Sequence, residues 1–442
     1  MKITLLGSGA REHAIAEAIC RSNMKPELYC FGTTKNPGIL RLSKKYMIGD
    51  LKDEKKILEF AKNSEFVLVG PEEPLTKGIS DALEREGICC IGPSKDAAKL
   101  EGDKSFTRYI MEKYKTSGRV FSKIFDDVKK AQKFIDEFGK PVAVKPLGLT
   151  GGKGVKVVDS NLEGQLENLE DAKIYAKSVI ENRIGGFSKV IVEEKLCGEE
   201  FTLQAFVDSK NVVPMPIVQD HKFACVGDTG PFTGGMGSYS CKNHLLPFMT
   251  KMDFENALKT LKQIVEALRK EGIYYRGILY GQFMLTKEEP KIVELNVRFG
   301  DPEAMNVLPI LETDFVETFE KTAQGKLGKT NFQNLATVCK YVVPKGYPTN
   351  PVKNKKIEGD FNASKVYFAS VNEKKDGLYT TSSRALAFVG IAKTIEEAEK
   401  IAEKGASKIK GDVYYRWDIG KNNLIEKRIQ HMKTVRGDLS AF

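Results

Sequence analysis

The sequence lacks the features of a membrane or secreted protein. No apolar run reaches the ~18 residues that a membrane span needs, and the start, MKITLLGSGAREHA, is a short strand-like run ended by glycine rather than a signal peptide. It has no low-complexity tract, and its 442 residues are 41% hydrophobic and 29% charged, as in ordinary globular proteins. We therefore expect a cytoplasmic chain of two to four domains.

Patterns typical of zinc sites and disulfide frameworks are also missing. The eight cysteines include no C-x-x-C pair, and most lie in apolar surroundings, at positions 20, 30, 89, 90, 197, 225, 241 and 339. No histidine or second cysteine flanks Cys225 at ligand spacing, so we expect no zinc. Buried, reduced thiols are the simplest interpretation.

The net charge of +10 leaves nucleic-acid binding open. The lysines, however, are scattered and alternate with glutamates, as in KDEKK and TIEEAEKIAEK. Because nucleic-acid binding calls for basic residues clustered on one face, we expect no nucleic-acid partner. A modest positive bias also suits phosphorylated substrates.

Short apolar runs alternate with helical patterns over the first hundred residues. The runs are KITLL, ELYCF, EFVLVG and CCIG, and the segment REHAIAEAICR carries apolar residues at helical spacing. This alternation predicts a doubly wound parallel sheet, whose ligands bind beyond the carboxyl ends of the strands. We assign residues 1–103 to this N-terminal α/β domain.

The pattern changes to α+β from residue 104. We expect a central domain over 104–330, with a subdomain at about 118–194, a long amphipathic helix over 253–271, and a hairpin from GILYGQFMLT and PKIVELNVRFG. A small C-terminal α+β domain is expected over 331–442, with strands in ATVCKYVVP, KVYFASV and ALAFVGIA. Its helix begins at a capping box formed by Thr394 and Glu397.

The glycine-rich segment PVAVKPLGLTGGKGV, residues 141–155, suggests an anion-binding hairpin. It is not a P-loop, because Leu147 stands where the first glycine should be and a strand pattern follows Gly154. Glycines let backbone N–H groups approach phosphate oxygens, and Lys145 and Lys153 supply charge. A hairpin tip with solvated lysines is the alternative.

Polar residues interrupt the apolar strand KIVELNVRF. A two-residue period would place Ile292, Glu294, Asn296 and Arg298 on one face. Glu294 and Asn296 offer the oxygen ligands that Mg²⁺ prefers, and Gln282 on the partner strand could add another. Arg298 could bind a carboxylate or phosphate through two hydrogen bonds. A surface-facing Glu–Arg pair is the alternative.

The segment QDHKFACVGDTGPFTGGMGSYS, residues 219–240, is rich in glycine and predicts a long functional loop without secondary structure. Its backbone donors and polar side chains, Asp220, His221, Lys222, Asp228 and Thr229, would form a second polar pocket. His221 is either a general base or an exposed loop histidine without a role.

The segment GSGAREH after the first strand has two glycines of a dinucleotide-binding turn, but Glu12 replaces the third. The helix N-terminus and Arg11 still favour an anion. No acidic residue ends the second strand to bind a ribose, so a nicotinamide cofactor is not favoured.

These segments occur together, in order, in one known family. GSGAREHA, VGPEEPLTKGI, IGPSKDAAKLEGDKSF, KPLGLTGGKGV, QDHK, DTGPFTGGMG, ELNVRFGDPE and RWDIG resemble the phosphoribosylamine–glycine ligases, or glycinamide ribonucleotide synthetases, of the ATP-grasp superfamily. The resemblance runs almost end to end. Four positions depart from the family pattern: Pro146 and Leu147 replace Ala and Asp, Phe223 replaces Arg, and Phe232 replaces Asn.

The resemblance implies a central ATP-grasp fold with a glycine-rich lid, and ATP-dependent ligation of glycine to 5-phosphoribosylamine. The reaction would pass through glycyl phosphate and give glycinamide ribonucleotide, ADP and phosphate in de novo purine biosynthesis. The cofactors would be ATP and Mg²⁺ or Mn²⁺. We expect small-molecule substrates only, no membrane partner, and a monomer.

The resemblance also assigns residues. The catalytic residues would be Arg298, Asp220 and Lys153. ATP would be bound by Lys104, Lys145, Gly151, Gly152, Lys153, Gly154, Glu193, Glu194, Leu196 and Glu200, and the metal by Glu294, Asn296 and Gln282. The substrates would be bound by Gly9, Arg11, Glu12, Pro71, Glu72, Asp228, Thr229, Gly230, Gly234, Gly235, Arg298 and Asp301.

Three alternatives stay open. They are a related ATP-grasp enzyme with another acid or amine, a nucleotide-sensing protein without turnover, and a nicotinamide oxidoreductase.

Overall fold

The computed structural model describes residues 1–150 and 154–437 of the chain. The N-terminal region contains β1 (Lys2–Leu6), α1 (Ala10–Cys20), β2 (Glu27–Gly32), α2 (Pro37–Leu42), β3 (Lys45–Ile48), α3 (Glu54–Ala61), β4 (Phe66–Val69), α4 (Glu72–Lys77), α5 (Ile79–Arg85), β5 (Cys89–Ile91), α6 (Lys95–Gly102) and α7 (Lys104–Lys113). The strands form a parallel sheet in the order β3-β2-β1-β4-β5. This confirms the doubly wound sheet predicted from the alternating pattern.

The lid follows, with β6 (Ser122–Phe125), α8 (Val128–Phe138), β7 (Val142–Pro146), β8 (Lys156–Val157), α9 (Leu169–Glu181), a 3₁₀ turn (Ile184–Gly186) and β9 (Val190–Glu194). Its antiparallel sheet has the order β6-β9-β7-β8. The helices pack on this sheet around a core of their own, which includes Ile135, Val144, Ala176 and Val192. The lid is therefore a separately packed unit.

The central region contains β10 (Glu199–Asp208), β11 (Val212–Pro214), β12 (Gln219–Asp220), β13 (Phe223–Cys225), β14 (Thr229–Phe232), β15 (Gly237–Ser240), α10 (Lys251–Lys270), β16 (Arg276–Leu285), β17 (Pro290–Asn296), α11 (Ala304–Val307), a 3₁₀ turn (Leu308–Ile310) and α12 (Phe315–Ala323). Its main sheet has the order β11-β10-β16-β17. The predicted hairpin is β16–β17, and the predicted long helix is α10, which begins at a capping box of Thr250 and Asp253.

The C-terminal region contains β18 (Ala336–Pro344), β19 (Lys356–Ile357), β20 (Lys365–Phe368), β21 (Val371–Lys374), β22 (Gly377–Thr380), β23 (Leu386–Ala392), α13 (Ile395–Ala406), β24 (Val413–Tyr415) and α14 (Asn422–Arg436). One sheet runs β12-β15-β18-β23-β20, with β24 also paired to β18. Strands of the glycine-rich segment 219–240 and of the C-terminal region thus share a sheet, across the boundary predicted at residue 330.

The prediction of a loop without secondary structure over 219–240 is wrong. In this segment β12 pairs with β15, and β13 pairs with β14 as a small hairpin. Gly227 and Gly235 lie in turns between the strands, whereas Gly230 lies within β14 and Gly237 begins β15; all four have positive φ, which glycine adopts without steric cost.

The structure also bears on the cysteines and on membrane spans. All eight cysteines are free, but Cys197 and Cys225 are exposed rather than buried. Within residues 1–150 and 154–437, no helix is both long and apolar enough to span a membrane.

Candidate active site

A cleft with about 700 Å³ of empty volume lies between the lid, the N-terminal region and the central sheet. This figure includes space open to solvent, and the part accessible to a water-sized sphere is about 120 Å³. Its lining comes from α4, α6 and α7, from the glycine segment, and from β17, as Glu72, Leu100, Glu101, Lys104, Thr107, Arg108, Leu149, Thr150, Val155, Val293, Glu294, Leu295, Asn296 and Arg298. Four segments distant in the sequence therefore meet at one site.

A β-bulge on β17 determines which side chains face this cleft. Gln282 of β16 lies opposite Glu294, whereas the next residue, Phe283, lies opposite Ile292, so Val293 is the extra residue. Gln282 and Phe283 are neighbours along β16, so they point to opposite faces of the sheet. Their partners on β17, Glu294 and Ile292, therefore also face opposite sides. The prediction that Ile292 shares the polar face is wrong, because Ile292 packs in the hydrophobic core.

The bulge also creates a hydrogen-bond acceptor. The carbonyl of Val293 accepts hydrogen bonds from Lys145 Nζ at 3.2 Å and from Arg108 Nη2 at 3.1 Å. One residue inserted into the strand therefore aims Glu294 at the cleft and holds two cations beside it.

Glu294 and Asn296 lie side by side, with Asn296 Nδ2 3.4 Å from Glu294 Oε1. Burial opposes ionisation of Glu294, but the charges of Lys222, Lys104 and Lys145 hold its pKa below the ordinary value. The amide oxygen of Asn296 accepts from Arg298 Nη2 at 3.1 Å. The buried anionic carboxylate of Glu294 fits Mg²⁺, which usually takes one or two protein ligands plus phosphates and water, and Asn296 could add its oxygen if Arg298 turned to a bound anion. In the part of the chain that the structure describes, no cluster of three or more His, Cys, Asp or Glu offers a denser metal site.

Gln282 lies across from Glu294 on the neighbouring strand. Its amide oxygen accepts hydrogen bonds from Tyr280 Oη and from Thr202 Oγ1, the latter at 3.1 Å. Its Nε2 donates to Glu200 Oε2 at 2.8 Å. The side chain is almost fully buried, and its oxygen is engaged by two hydroxyls, so the contacts indicate support of the sheet face rather than a third metal ligand.

Lys145 and Glu193 form the centre of a buried ion cluster at the base of the lid. Lys145 Nζ is 2.6 Å from Glu193 Oε2, and Arg108 binds both oxygens of Glu193 through Nε at 2.5 Å and Nη2 at 3.1 Å. Burial would raise the pKa of Glu193, but the charges of Arg108 and Lys145 bring it to about 2. Both cations thus stay in place at the cleft.

Lys104 supplies a third cation from the N-terminus of α7. Its Nζ donates to the carbonyl of Gly148 at 3.1 Å, which ties it to the glycine segment of the lid. Burial lowers the pKa of Lys104, and the Glu294 carboxylate opposes that effect. Lys104 and Lys145 therefore lie on the same side of the cleft as the glycine segment, as predicted for phosphate-binding lysines.

Three further residues predicted to bind ATP lie at the end of β9 and just after it, Glu194, Leu196 and Glu200. Glu194 Oε1 accepts from Phe121 N at 3.0 Å and from Lys291 Nζ at 2.8 Å, so its side chain ties the lid to β17. Leu196 is partly exposed. Glu200 Oε2 is 3.0 Å from Lys222 Nζ, within the polar face of β10. Binding of the adenine base by backbone groups at the end of β9 stays a prediction.

The tip of the lid is only partly described. Gly151, Gly152 and Lys153 lie outside the described residues. Gly154 N donates to Thr150 Oγ1 at 3.2 Å, and its carbonyl accepts from Tyr175 Oη at 2.7 Å. The adjoining part of the segment is thus tied back to α9.

Arg298 lies at the other end of the cleft, between two carboxylates of the N-terminal region. Its Nη2 is 3.0 Å from Glu101 Oε1, and its Nε is 3.4 Å from Glu72 Oε2. Burial raises the pKa of Glu101 to about 7, against the charge of Arg298. Arg298 therefore joins the end of β17 to α4 and α6.

The turn after β1 is packed against the same end of the central sheet. Glu12 accepts hydrogen bonds from Gly9 N and from Arg11 Nε, both at 2.6 Å, and Arg11 Nη1 donates to the carbonyl of Phe299 at 3.2 Å. A Cβ on Gly70 would come within 2.1 Å of Glu12 Oε1. The Glu12 carboxylate therefore caps α1 internally, while Pro71, at the end of β4, begins α4 beside it.

Asp220, in the glycine-rich segment, is enclosed by the turn at Gly235 and by residues that follow β17. Burial, reinforced by the nearby Glu303 carboxylate, raises its pKa well above the ordinary value. Among the described residues, its buried Oδ1 has no hydrogen-bond partner. Gly235, with φ +105°, is so close that a Cβ there would lie 2.7 Å from Oδ1.

Arg384, from the C-terminal region, holds the neighbouring turns together. Its Nη1 donates to the carbonyls of Gly234, Gly235 and Asp301, at 2.6, 3.0 and 3.2 Å, and its Nη2 is 3.0 Å from Asp301 Oδ2. The other Asp301 oxygen accepts from Tyr341 Oη at 2.6 Å. Asp301 thus fixes the turn after β17 to the C-terminal sheet.

Asp228 faces the C-terminal region instead of an open pocket. Its carboxylate pairs with Arg416 Nη1 at 2.8 Å and with Arg428, and lies 3.4 Å from His221 Nδ1. His221 is buried, so the prediction of an exposed histidine is wrong, and burial lowers its pKa. Thr229 is exposed, and Gly230 has φ +78°.

The sequence interpretation missed several residues of these clusters: Glu101, Arg108, Arg384, Arg416 and Arg428. Arg416 lies in the RWDIG segment, which offered a signal. Glu101 likewise lies in the quoted segment IGPSKDAAKLEGDKSF. For the three remaining arginines no local pattern marks a partner so distant in the sequence.

Two antiparallel sheets with a cleft between them, a glycine-rich lid and an acidic strand opposite define an ATP-grasp protein. Comparison with known proteins agrees with this class. The phosphoribosylglycinamide synthetase models match the chain as N domain over residues 1–101, ATP-grasp (A) domain over 102–304, and C domain over 337–422. The chain therefore belongs to the phosphoribosylglycinamide synthetase family.

Individual relatives support the assignment. The chain is 50% identical to phosphoribosylamine–glycine ligase of Thermococcus kodakarensis, over 99% of this chain and 100% of the relative. It is 51% identical to that of Methanopyrus kandleri, over 99% and 100%. A crystal structure of the Thermotoga maritima ligase superimposes with a TM-score of 0.82 at 29% identity, covering 95% of this chain and 100% of that one.

A biotin carboxylase from Campylobacter jejuni shares the fold alone, with a TM-score of 0.72 at 16% identity over 98% and 95% of the two chains.

Proposed function

We propose that this chain joins glycine to 5-phosphoribosylamine in the cleft described above, forming glycinamide ribonucleotide and converting ATP to ADP and phosphate. The observation that carries the proposal is the opposition of two lysines, Lys104 and Lys145, to an acidic strand bearing Glu294 and Asn296. The full-length similarity to phosphoribosylamine–glycine ligases supports the choice of substrates, a step of purine biosynthesis.

The chemistry has two steps. A carboxylate oxygen of glycine attacks the γ-phosphorus of ATP, the bond to ADP breaks, and glycyl phosphate forms. The amine of phosphoribosylamine then attacks the acyl carbon, the C–O bond to phosphate breaks, and the nitrogen loses a proton as the amide forms. Phosphoryl transfer depends on positioning and charge neutralisation, so this chain's contribution lies in its cations and in excluding water.

Lys104 and Lys145 would bind the phosphates of ATP, since they are held near the glycine segment of the lid. Glu294 and Asn296 would hold Mg²⁺ or Mn²⁺, which supplies charge neutralisation on the phosphate oxygens. We assign Gln282 the role of supporting this face, since its oxygen is engaged by Thr202 and Tyr280.

Glycine would bind on the glycine-rich segment beside Asp220, whose buried carboxylate is suited to an ammonium group. Arg298 would attract the anionic groups of the reactants. Phosphoribosylamine would lie toward the turns after β1 and β4, next to Glu72 at the edge of the cleft. We further expect a cytoplasmic monomer, and light scattering giving the mass of one chain would check the oligomeric state.

The test uses glycine labelled with ¹⁸O in its carboxylate. The protein is incubated with ATP, Mg²⁺, labelled glycine and freshly prepared phosphoribosylamine, and both ADP and the released phosphate are measured. We expect ADP release that requires glycine and the amine, and one ¹⁸O atom in each phosphate, because the attacking oxygen leaves with the phosphorus. ADP release that does not depend on glycine, or unlabelled phosphate, would refute the proposal.

A further inference from the structure

The C-terminal helix α14 lies over the tip of the β13–β14 hairpin. It begins at Asn422, where the match to the family's C domain ends. Its apolar side chains Ile425 and Met432 belong to the main hydrophobic core that also contains residues of the central sheet. This packing fixes the helix against the central region and places its basic residues beside the glycine-rich segment.

The hairpin tip has an unusual backbone. Residues 226–228 connect Cys225 to its partner Thr229, and both Gly227 and Asp228 have positive φ, +77° and +61°. A left-handed conformation is uncommon outside glycine and persists where the surroundings hold it. The tip therefore needs external contacts to keep this shape.

Two elements of the C-terminal region supply these contacts. Arg416, fully buried after β24, binds Asp228 Oδ1 at 2.8 Å and also pairs with Asp418 at 2.6 Å. Asp418 in turn accepts a hydrogen bond from Gly227 N at 2.9 Å. Lys427 Nζ of α14 donates to the carbonyl of Gly227 at 3.3 Å.

Arg428 of α14 completes the arrangement and links it to the central sheet. Its Nη2 binds the second oxygen of Asp228, and its Nη1 is 3.2 Å from Glu199 Oε2 at the start of β10. His431, one turn further along α14, is 2.6 Å from Glu199 Oε1. The neighbouring residue Glu200 binds Lys222 of the glycine-rich segment at 3.0 Å.

The geometry points to α14 as a clamp on the hairpin tip, and we propose that Arg428 is a positioning residue that holds the glycine-rich segment in the conformation that binds glycine. The inference rests on the proposed function, because it takes glycine as the ligand of this segment. The hairpin lies between Asp220 at one end and Gly234 at the other, so a displaced tip would move both.

The test compares two arginines of the same helix. Arg436 makes a similar double contact, with Asp253 of α10 at 2.7 and 3.1 Å. It lies about two turns further along α14 than Arg428 and, in the described part of the chain, does not contact the hairpin tip. Arg428→Ala should raise the KM for glycine by about 10- to 100-fold, the effect of losing a charge-assisted hydrogen bond. The KM for ATP should stay within about twofold, and Arg436→Ala should leave both constants unchanged.

Arg428→Lys keeps the charge but cannot span Asp228 and Glu199 together. It should give an intermediate KM for glycine, and it keeps the proposal testable if the alanine variant is recovered unfolded. An unchanged KM in a folded Arg428 variant, or an equal rise in the Arg436 variant, would overturn the clamp.

Two readouts do not depend on turnover. Hydrogen exchange of the peptide over 223–235 should speed up in the Arg428 variants and not in Arg436→Ala. Trp417, the single tryptophan, lies between Arg416 and Asp418 and is 46% exposed, so its fluorescence should change in the same variants. If the unmodified protein showed no glycine-dependent ADP release, the proposed function would fail, while unchanged exchange would reject the clamp itself.

Discussion

Replacing Lys145 by methionine should weaken both the fold and ATP binding, and a second substitution should restore only the fold. Lys145 Nζ lies 2.6 Å from a Glu193 carboxylate that is 2% exposed. At this distance and an effective dielectric constant of about 20, the gross attraction is about 6 kcal/mol. Desolvation of both groups offsets most of it.

The net loss of stability in Lys145→Met depends on the contacts that Glu193 keeps. After Lys145→Met, Glu193 keeps both hydrogen bonds to Arg108, so we expect the loss of one charge-assisted bond, about 2–3 kcal/mol. With an unfolding entropy of about 2.1 cal/mol/K per residue over 442 residues, this lowers the Tm by about 2–3 °C. ATP affinity should fall by about 10- to 100-fold, since a phosphate loses one charged donor.

The double variant Lys145→Met with Glu193→Gln separates the two effects. The neutral amide that replaces the Glu193 carboxylate does not need a second cation. The free energy of unfolding of the double variant should therefore exceed the value expected from adding the two single changes by about 1–3 kcal/mol. Thermal unfolding and equilibrium ATP binding are the assays, with the exposed lid residue Lys140→Met as control. Additive stabilities, or recovery of ATP affinity in the double variant, would refute the reasoning.

Two further predictions concern carboxylates of the cleft. Glu294→Ala should lower turnover by at least about 100-fold, as for removal of a preorganised electrostatic group, at modest cost to the Tm; a fully active variant would show the metal assignment to be wrong. Because the pKa of Glu193 is lowered from 4.5 to about 2, its contribution to stability is present above pH 4.5 and is lost as the pH falls toward 2. The free energy of unfolding, measured between pH 6 and pH 3, should therefore fall more steeply for the unmodified protein than for Glu193→Gln, and parallel curves would contradict the assignment.

The parts of the fold that the sequence predicts are those coded by local periodicity. The parallel sheet follows from buried runs such as KITLL and from the turns at their ends, and the β16–β17 hairpin follows from alternation around the turn KEE. The polar face of β17 is recognisable because Glu294 and Asn296 interrupt an apolar strand. These signals lie within a few residues of one another, so they survive without knowledge of the tertiary structure.

The parts that could not be predicted depend on contacts between distant segments. The bulge at Val293 exists because β16 and β17 shift register, and a strict period of two cannot show it. In the sequence, Arg108 looks like an ordinary polar residue of a helix. Its partner Glu193 lies 85 positions further along the chain, so no local pattern reveals the pair. Within 219–240, β15 pairs with β18, which lies some hundred residues further along the chain, and β12 pairs in turn with β15.

The departures at Phe223 and Phe232 become understandable once these pairings are known. The two residues lie directly opposite each other on β13 and β14, with ring centroids 4.5 Å apart. A cross-strand aromatic pair stabilises a short hairpin. The two replacements therefore act as one change, which exchanges a pattern of polar residues for an apolar contact at the base of the same hairpin.

Packing also determines where the lid can move. The lid has its own hydrophobic core, whereas the N-terminal, central and C-terminal regions share another. Glu193 joins these two bodies, because it binds Arg108 of α7 and Lys145 of the lid sheet in one buried cluster. Glu193 therefore ties the lid to the N-terminal region at this point. The same carboxylate that stabilises the fold thus also fixes the position of Lys145, the cation that we propose binds phosphate.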